Sequence, residues 1–312
     1  MSHRVLVTGG GGYIGSMLVP RLLELGHRVT VLDTFRDSGT ELAGACRHST
    51  FRPIKGDARS ERLLDELVPQ HDVLIPLAAL VGAPLCKQDE IGAVTLNRDA
   101  VISMVKRASS NQRIVYPTTN SGYGVGEAGK FCTEDSPLRP ISLYGVTKVE
   151  AEQAVLDSGK GVTLRLATVF GMAPRMRIDL LVNDFTYRAV NDRAILIFEG
   201  HFKRNFIHVR DVVKGFIHAI ENFDRMKGEP YNLGLSSANL SKLELCAEIQ
   251  KQVPQFVYVE APVGEDPDKR DYIVSNEKLE NTGWSPDWTL QEGIAELIRG
   301  YTMLRNARFA NV

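Results

Sequence analysis

Residues 5–16 read Val5-Leu-Val-Thr-Gly-Gly-Gly-Gly-Tyr-Ile-Gly-Ser16: an apolar run, four consecutive glycines, then the start of an amphipathic segment. A buried strand that ends in a glycine turn and feeds a helix lets backbone N–H groups approach a pyrophosphate. The positive end of the helix then favours that group's charge. The glycines at 9, 12 and 15 leave two residues between successive members, not the one-then-two of the common dinucleotide fingerprint. By themselves they mark only a turn. The context adds weight: an apolar helical pattern follows (Ile14, Leu18, Leu22, Leu25), then a second strand, Val29–Leu32, that ends at Asp33. An acid about 20 residues beyond the glycines suits the two hydroxyls of an adenosine ribose and repels a 2′-phosphate, so the cofactor expected is NAD. Arg36 is the one nearby residue that would speak for a 2′-phosphate.

The 312 residues can supply one large core or two lobes around a cleft, and 43% hydrophobic with 24% charged residues is an ordinary globular balance. A formal charge of −1 gives no general attraction to nucleic acid or to a membrane surface, so neither is expected as a partner. An anionic ligand must instead be held by local arginines. Cys46, Cys86, Cys132 and Cys246 form no CxxC pair, which reads as reduced, buried thiols in a cytoplasmic protein. The chain runs directly into its first strand without a signal-peptide pattern, and no apolar stretch reaches the ~18 residues that a membrane span needs. The seven histidines are scattered, with no HExxH and no Cys/His cluster, so no metal site is expected, and His208 reads as structural.

Strand-like segments (4–8, 29–33, 51–54, 72–77, 113–117, 162–166) alternate with helical patterns near 13–25, 59–68, 91–109 and 142–158. That alternation defines an α/β fold with a doubly wound parallel sheet, whose ligand loops lie at the carboxyl ends of the strands. After about residue 170 the pattern becomes irregular. Helical segments are expected at 180–191, 210–222 and 241–252, strands at 194–198 and 205–209, and an exposed loop at 261–271. The division expected is a Rossmann-type domain over 1–170, with a return near 205–235, and a smaller α/β substrate lobe from 171–204 and 236–312.

Tyr144-Gly-Val-Thr-Lys148 opens a helical pattern, and residues four apart share one helix face. Ionising a phenol of pKa ~10 at pH 7 costs about 4 kcal/mol. A cation at ~4 Å offsets about that much at an effective dielectric of about 20. Tyr144 is therefore a candidate general base and Lys148 the group that tunes it. On spacing alone the pair is an ordinary surface helix; the nucleotide-binding start and a nearby hydroxyl raise it. That hydroxyl is Thr119, or its rival Ser121, in Tyr116-Pro-Thr-Thr-Asn-Ser-Gly-Tyr-Gly124, a loop that otherwise reads as Ser/Thr turns satisfying their own backbone.

Taken together, Gly9, Gly12 and Gly15, Asp33, Gly56-Asp57, Leu77-Ala-Ala79, Asn97, Thr119, Tyr144 and Lys148 resemble the extended short-chain dehydrogenase/reductases. These are the NAD-dependent nucleotide-sugar epimerases, dehydratases and their relatives. The resemblance continues through Arg204-Asn-Phe-Ile-His-Val-Arg-Asp211, Arg270 with Tyr272 and Lys278, and Gly283-Trp-Ser-Pro286, so it covers nearly the whole chain. It implies that Gly9, Gly12, Tyr13, Ile14 and Gly15 hold the pyrophosphate and Asp33 the ribose. Asp57 and Ala58 would lie by the adenine, and Leu77, Ala78 and Ala79 by the nicotinamide. Thr119, Tyr144 and Lys148 would be catalytic. Val81, Asn120, Ser121, Arg175, Asn183, Arg204 and Arg270 would meet a nucleotide-diphosphate sugar. Helices 91–109 and 142–158 would pair across a two-fold axis in a homodimer.

Departures from the family narrow the chemistry. The 4,6-dehydratases carry Asp-Glu directly after the catalytic Thr, and sugar-acid decarboxylases usually place Glu at the second position; here stand Asn120 and Ser121. Neither is a useful acid, although Glu127 and Glu134 lie further along the loop. Thr168 stands where many members have Asn. What remains is oxidation of a sugar hydroxyl, most often at carbon 4. Segments 76–86, 118–124 and 264–270 are similar to enzymes that oxidise carbon 4 of GDP-linked heptose for capsule sugars, which favours a 4-dehydrogenase over a 4-epimerase. A dinucleotide-binding sensor without catalysis belongs to a different class, and the intact Tyr144 and Lys148 speak against it.

Overall fold

The computed structural model describes residues 2–36, 39–127, 129–262 and 270–304. Seven parallel strands form the main sheet, in the order Pro230–Leu233, Gly161–Leu166, Arg113–Thr119, Val73–Pro76, Arg4–Thr8, Arg28–Asp33, Phe51–Lys55. The central strands are apolar at consecutive positions because both faces are covered. Val5 and Val7 point into one core layer with Val29, Val31, Val73 and Ile75, while Leu6 points into the other with Leu32, Leu74, Ile114 and Tyr116. Six strands lie where the sequence pattern places them. The seventh, Pro230–Leu233, was not read as a strand; it returns from the C-terminal half to pair with Gly161–Leu166.

The pattern expected over 91–109 is one helix; the chain instead forms Glu90–Val94, a π-helical turn at Thr95–Asp99, and Ala100–Arg107. The wide turn carries Asn97, whose buried amide accepts from Leu80 N–H (2.8 Å) and donates to Leu80 O (2.9 Å), pinning the loop after the fourth strand. The remaining strands form small sheets: Asn239–Ser241, Lys203–His208 and Thr168–Phe170; Val257–Glu260 with Ala194–Ile197; and Ile273–Val274 with Phe131–Cys132. Most of the loop expected at 261–271 lies outside the described residues. Cys86, Cys132 and Cys246 are buried and free, but Cys46 is free and exposed, against expectation: it lies on a short solvent-facing helix, Ala43–Arg47. No helix of the described residues is long and apolar enough to cross a membrane.

The last helix, Leu290–Met303, is clasped to the sheet by His208, which is fully buried. His208 stacks on Trp288 at 4.2 Å between centroids, and its Nδ1 accepts from Arg210 N–H, which leaves Nε2 to donate to Glu296 (2.8 Å). Gly171, at φ +114°, lies so close that a Cβ there would sit 2.4 Å from His208 Nε2. Burial opposes the Glu296 charge, but His208, the Met172 N–H and Arg210 outweigh it and hold the carboxyl down at about 2. A depressed carboxyl stabilises the fold above its ordinary range, and that stability fades as pH falls toward its folded value. Glu296→Gln should therefore lower stability at pH 7 by about 3 kcal/mol. In urea titrations the gap from the unmodified protein should narrow steadily between pH 5 and pH 2.

Candidate active site

A cavity of about 940 Å³ opens at the carboxyl ends of the strands. Its first wall is the glycine turn. Gly9 has φ +74°, and a Cβ there would lie 2.5 Å from Ala78 N, so only glycine lets the turn pack onto the Leu77–Ala79 segment. At Gly15 a Cβ would lie 2.5 Å from Gly10 O, which keeps the helix start tight against the turn. Asp33 is fixed at the end of its strand: Oδ2 accepts from Gly11 N–H (2.8 Å) and Oδ1 from Phe35 N–H (2.8 Å). Asp57 accepts from the Arg59 backbone and side chain, and Arg59, foremost through that hydrogen bond, holds its carboxyl below the ordinary range. Gly9, Gly12, Tyr13, Ile14, Gly15, Asp33, Asp57, Ala58, Leu77, Ala78 and Ala79 all line this one cavity. A backbone cradle that a Cβ would fill, with an oriented carboxylate 24 residues beyond Gly9, fits a dinucleotide whose ribose has free hydroxyls. Arg36 is also on the cavity wall.

The other half of the cavity is lined by Thr119, Ser121, Tyr144 and Lys148. Ser142 caps the helix Leu143–Asp157 by accepting from Gly145 N–H, which places Tyr144 and Lys148 on its first turns. Thr119 ends the strand Arg113–Thr119, accepts from Ser121 N–H (3.1 Å) and donates to Ser121 Oγ (2.9 Å). The two rival hydroxyls are thus one hydrogen-bonded pair. Burial raises the Tyr144 phenol; the Arg177 guanidinium, then that of Arg270, and the Thr119 hydroxyl act against it. Burial also lowers Lys148, to about 7, with Glu152 opposing. The Lys148 ammonium lies 4.1 Å from the centre of the Tyr116 ring. Residue spacing points to Lys148 as the cation that draws the phenol proton down; in the structure the cations that act on the phenol are Arg177 and Arg270.

The basic side chains gather at the far wall. Arg175, Arg177, Arg204, Lys242 and Arg270 all line it, with Tyr272 between them. Arg204 stacks 5.7 Å over the Tyr272 ring and donates to Lys203 O, and Arg270 donates to Ser121 Oγ. Arg177 is paired with Asp179, and Lys242 donates to Phe198 O (2.7 Å). A chain of formal charge −1 thereby concentrates its cations where an anion would enter. Val81 and Ser121 also line the cavity.

Two residues expected at the substrate, Asn120 and Asn183, do not line the cavity. Asn120 is buried off the cavity, with neither polar side-chain atom hydrogen-bonded, because the short helix Asn120–Tyr123 turns it inward. Asn183 is buried too: it accepts from Gly171 N–H and donates to Arg177 O and to the Tyr13 hydroxyl, so it positions the loop that carries Arg177. Lys278 lies away from the cavity, paired with Glu229. Arg177, Lys242 and Phe35 were not singled out from sequence. Arg177 stands two residues after Arg175 in the same irregular stretch, which was the available signal. Nothing local marks Lys242, the first residue of a helix with an ordinary capping box.

The fold and cavity define a dinucleotide-dependent enzyme. The family model described as the NAD dependent epimerase/dehydratase family matches residues 5–234, and the chain belongs to that family. It is 32% identical to the low-salt glycan biosynthesis protein Agl12 of Haloferax volcanii, over 95% of this chain and 98% of that one. It is 28% identical to UDP-glucuronic acid decarboxylase 1 of Arabidopsis thaliana, over 96% of this chain and 69% of that one. Among solved structures it is similar to the UDP-glucuronic acid 4-epimerase of Bacillus cereus in complex with UDP-glucuronic acid and NAD. That likeness has a TM-score of 0.85 at 25% identity, covering 96% of this chain and 99% of the other. The cofactor of this enzyme is NAD.

Gly9→Ala tests the cradle. The added methyl forces Ala78 and the turn apart and strains a left-handed backbone, so stability should fall by about 1–3 kcal/mol. Calorimetric titration should show NAD affinity reduced at least tenfold, the Tyr144 half of the cavity being left intact.

Proposed function

We propose that this enzyme oxidises carbon 4 of a nucleotide-linked sugar, that the sugar is a GDP-linked heptose, and that the keto sugar is the product. The observation that carries the oxidative reading is the composition of the cavity around Tyr144. Thr119, Ser121 and Tyr144 line it, whereas Asn120 does not, and neither Glu127 nor Glu134 reaches it. Glu127 is exposed and paired with Lys130, and Glu134 accepts from Asn232 N–H (2.7 Å). An elimination or decarboxylation that relied on a carboxylic acid after Thr119 has no such group at hand. The heptose reading rests on sequence likeness in segments 76–86, 118–124 and 264–270, of which 264–269 lies outside the described residues.

NAD, when bound, supplies the hydride acceptor. On the protein side, Thr119 orients the reacting hydroxyl and Tyr144 takes its proton at the phenol oxygen. Lys148 adds positive charge beside that proton and meets the cofactor's nearer ribose. Arg204 and Arg270 receive the diphosphate, with Arg175 and Arg177 beside them. Residues 171–204 and 236–312 act as the lobe that closes on the sugar nucleotide, and residues 1–170 with 205–235 as the cofactor domain. A homodimer through helices 91–109 and 142–158 is part of this reading, as is a cytoplasmic setting where sugar nucleotides and NAD are available. Ile91, on the segment Glu90–Val94, is a large apolar side chain 79% exposed, which supports a partner surface there. A 4-epimerase is the second reading; the likeness to the Bacillus cereus 4-epimerase supports it.

Incubation with NAD and a panel of UDP-, dTDP- and GDP-sugars should yield a 4-keto product, seen as exchange of one oxygen with labelled water. An inverted alcohol without free ketone would establish the epimerase instead. Tyr144→Phe should lower turnover by about 100- to 10,000-fold with NAD affinity nearly unchanged. Full cellular function in that variant would favour the sensor class. Light scattering should give twice 34.5 kDa; a mass near 34.5 kDa would remove the dimer.

A further inference from the structure

Behind the helix that carries Tyr144 and Lys148 lies a charged pair that the proposed chemistry does not use. Glu152 is one turn beyond Lys148, on the same face of Leu143–Asp157, and its side chain is 3% exposed. Arg165, 6% exposed, reaches it from the strand Gly161–Leu166: Nε and Nη2 both donate to Glu152 Oε1, at 2.9 and 2.6 Å. The third donor of Arg165, Nη1, goes to the Tyr123 hydroxyl and to Glu134 O. The second carboxylate oxygen, Oε2, is buried without a hydrogen-bond partner. A buried pair of this kind is a weak source of stability, because desolvation cancels most of its attraction. An orphaned carboxylate oxygen makes it weaker still. Its charge acts in a region of low dielectric, where its reach is long.

One turn back on the same helix face is Lys148, itself 5% exposed. The groups that act on the ammonium are the Tyr116 ring from the central strand, the Cys86 thiol from the helix Ala83–Gln88, and Glu152 from its own helix. Arg98, on the neighbouring segment, is taken up at the surface by Asp99 and Glu150. Glu152 is the carboxylate that shares the helix face of Lys148. Arg165 grips one oxygen, fixing the carboxylate in place and leaving the other oxygen free to act through space.

We infer that Glu152, anchored by Arg165, is a positioning residue whose carboxylate keeps the Lys148 ammonium protonated in a dry site. The inference rests on Tyr144 and Lys148 being the catalytic pair. Without Glu152, burial and the uncompensated Arg165 guanidinium both disfavour the ammonium. Burial already brings Lys148 to about 7, with Glu152 as the largest influence in the other direction.

The test is competitive labelling of Lys148 in the unliganded enzyme with acetic anhydride between pH 5 and 10, read by mass spectrometry of the peptide. It needs no substrate. Glu152→Gln should move the labelling midpoint down by about one unit, which is about tenfold more neutral amine at a fixed pH below the midpoint. In the double variant Glu152→Gln/Arg165→Met the repelling guanidinium is gone as well, and part of that shift should be recovered. An unmoved midpoint in Glu152→Gln overturns the inference. So does a double variant that falls as far or further, since damaged packing and not lost charge would then be the cause. Lys148→Met assayed with the active sugar nucleotide separates the two levels: full turnover sinks the catalytic reading itself, whatever the labelling shows.

Discussion

Burial sets the terms on which every ionisable group of the cavity works. A phenol and an ammonium taken out of water both move toward their neutral forms, the first by rising and the second by falling. Chemistry near neutrality needs the opposite of each. The molecule meets this demand with charges placed around the pair: guanidiniums of Arg177 and Arg270 on the phenol side, and a carboxylate behind the ammonium. The simple picture of one lysine lowering one tyrosine leaves out that the lysine also loses hydration and needs support of its own.

The supporting architecture follows from where a parallel sheet ends. Six of the seven strands each deliver one short segment to the same edge: the glycines after Thr8, Asp33, Asp57, the Leu77–Ala79 run, Thr119, and Ala167. Close packing fixes their relative positions, since the turn at Gly9 touches the backbone of Ala78 directly. The far wall is built differently. Arg175, Arg177 and Arg270 come from irregular segments, whereas Arg204 sits on the strand Lys203–His208 and Lys242 opens the helix Lys242–Gln252; buried amides brace this wall, with Asn183 bonding the loop of Arg177 and Asn205 bonding Leu235 O.

These two modes of construction explain what could be read from the sequence. The strands and helices of the first half have strong periodicity and sharp ends, so six of seven sheet strands and the cofactor wall were legible. Pro230–Leu233 was not: four residues with a Pro, a Tyr and a buried Asn232 carry no strand signal, and only tertiary pairing makes them one. The site's polar side chains divide in the same way. Arg204 and Arg270 were legible through family likeness. Asn120 and Asn183 are expected at the substrate only through family likeness, yet both are buried off the cavity, which depends on a rotamer and on a helix turn that no linear pattern encodes. Glu152 passed unnoticed because an acid four residues after a lysine is a common surface pairing, and its burial appears only in three dimensions.

The late arrival of the last sheet strand has a consequence for how the chain is made. Leu166 emerges from the ribosome well before Pro230, so the partner strand Gly161–Leu166 must wait with an unpaired edge while the intervening segments are synthesised. An apolar strand with an open flank is a template for pairing with another nascent chain. The wait leaves that edge open to aggregation between those two points of synthesis. Slow translation through residues 167–229 would lengthen it, and a chaperone that shields hydrophobic edges would find its substrate there.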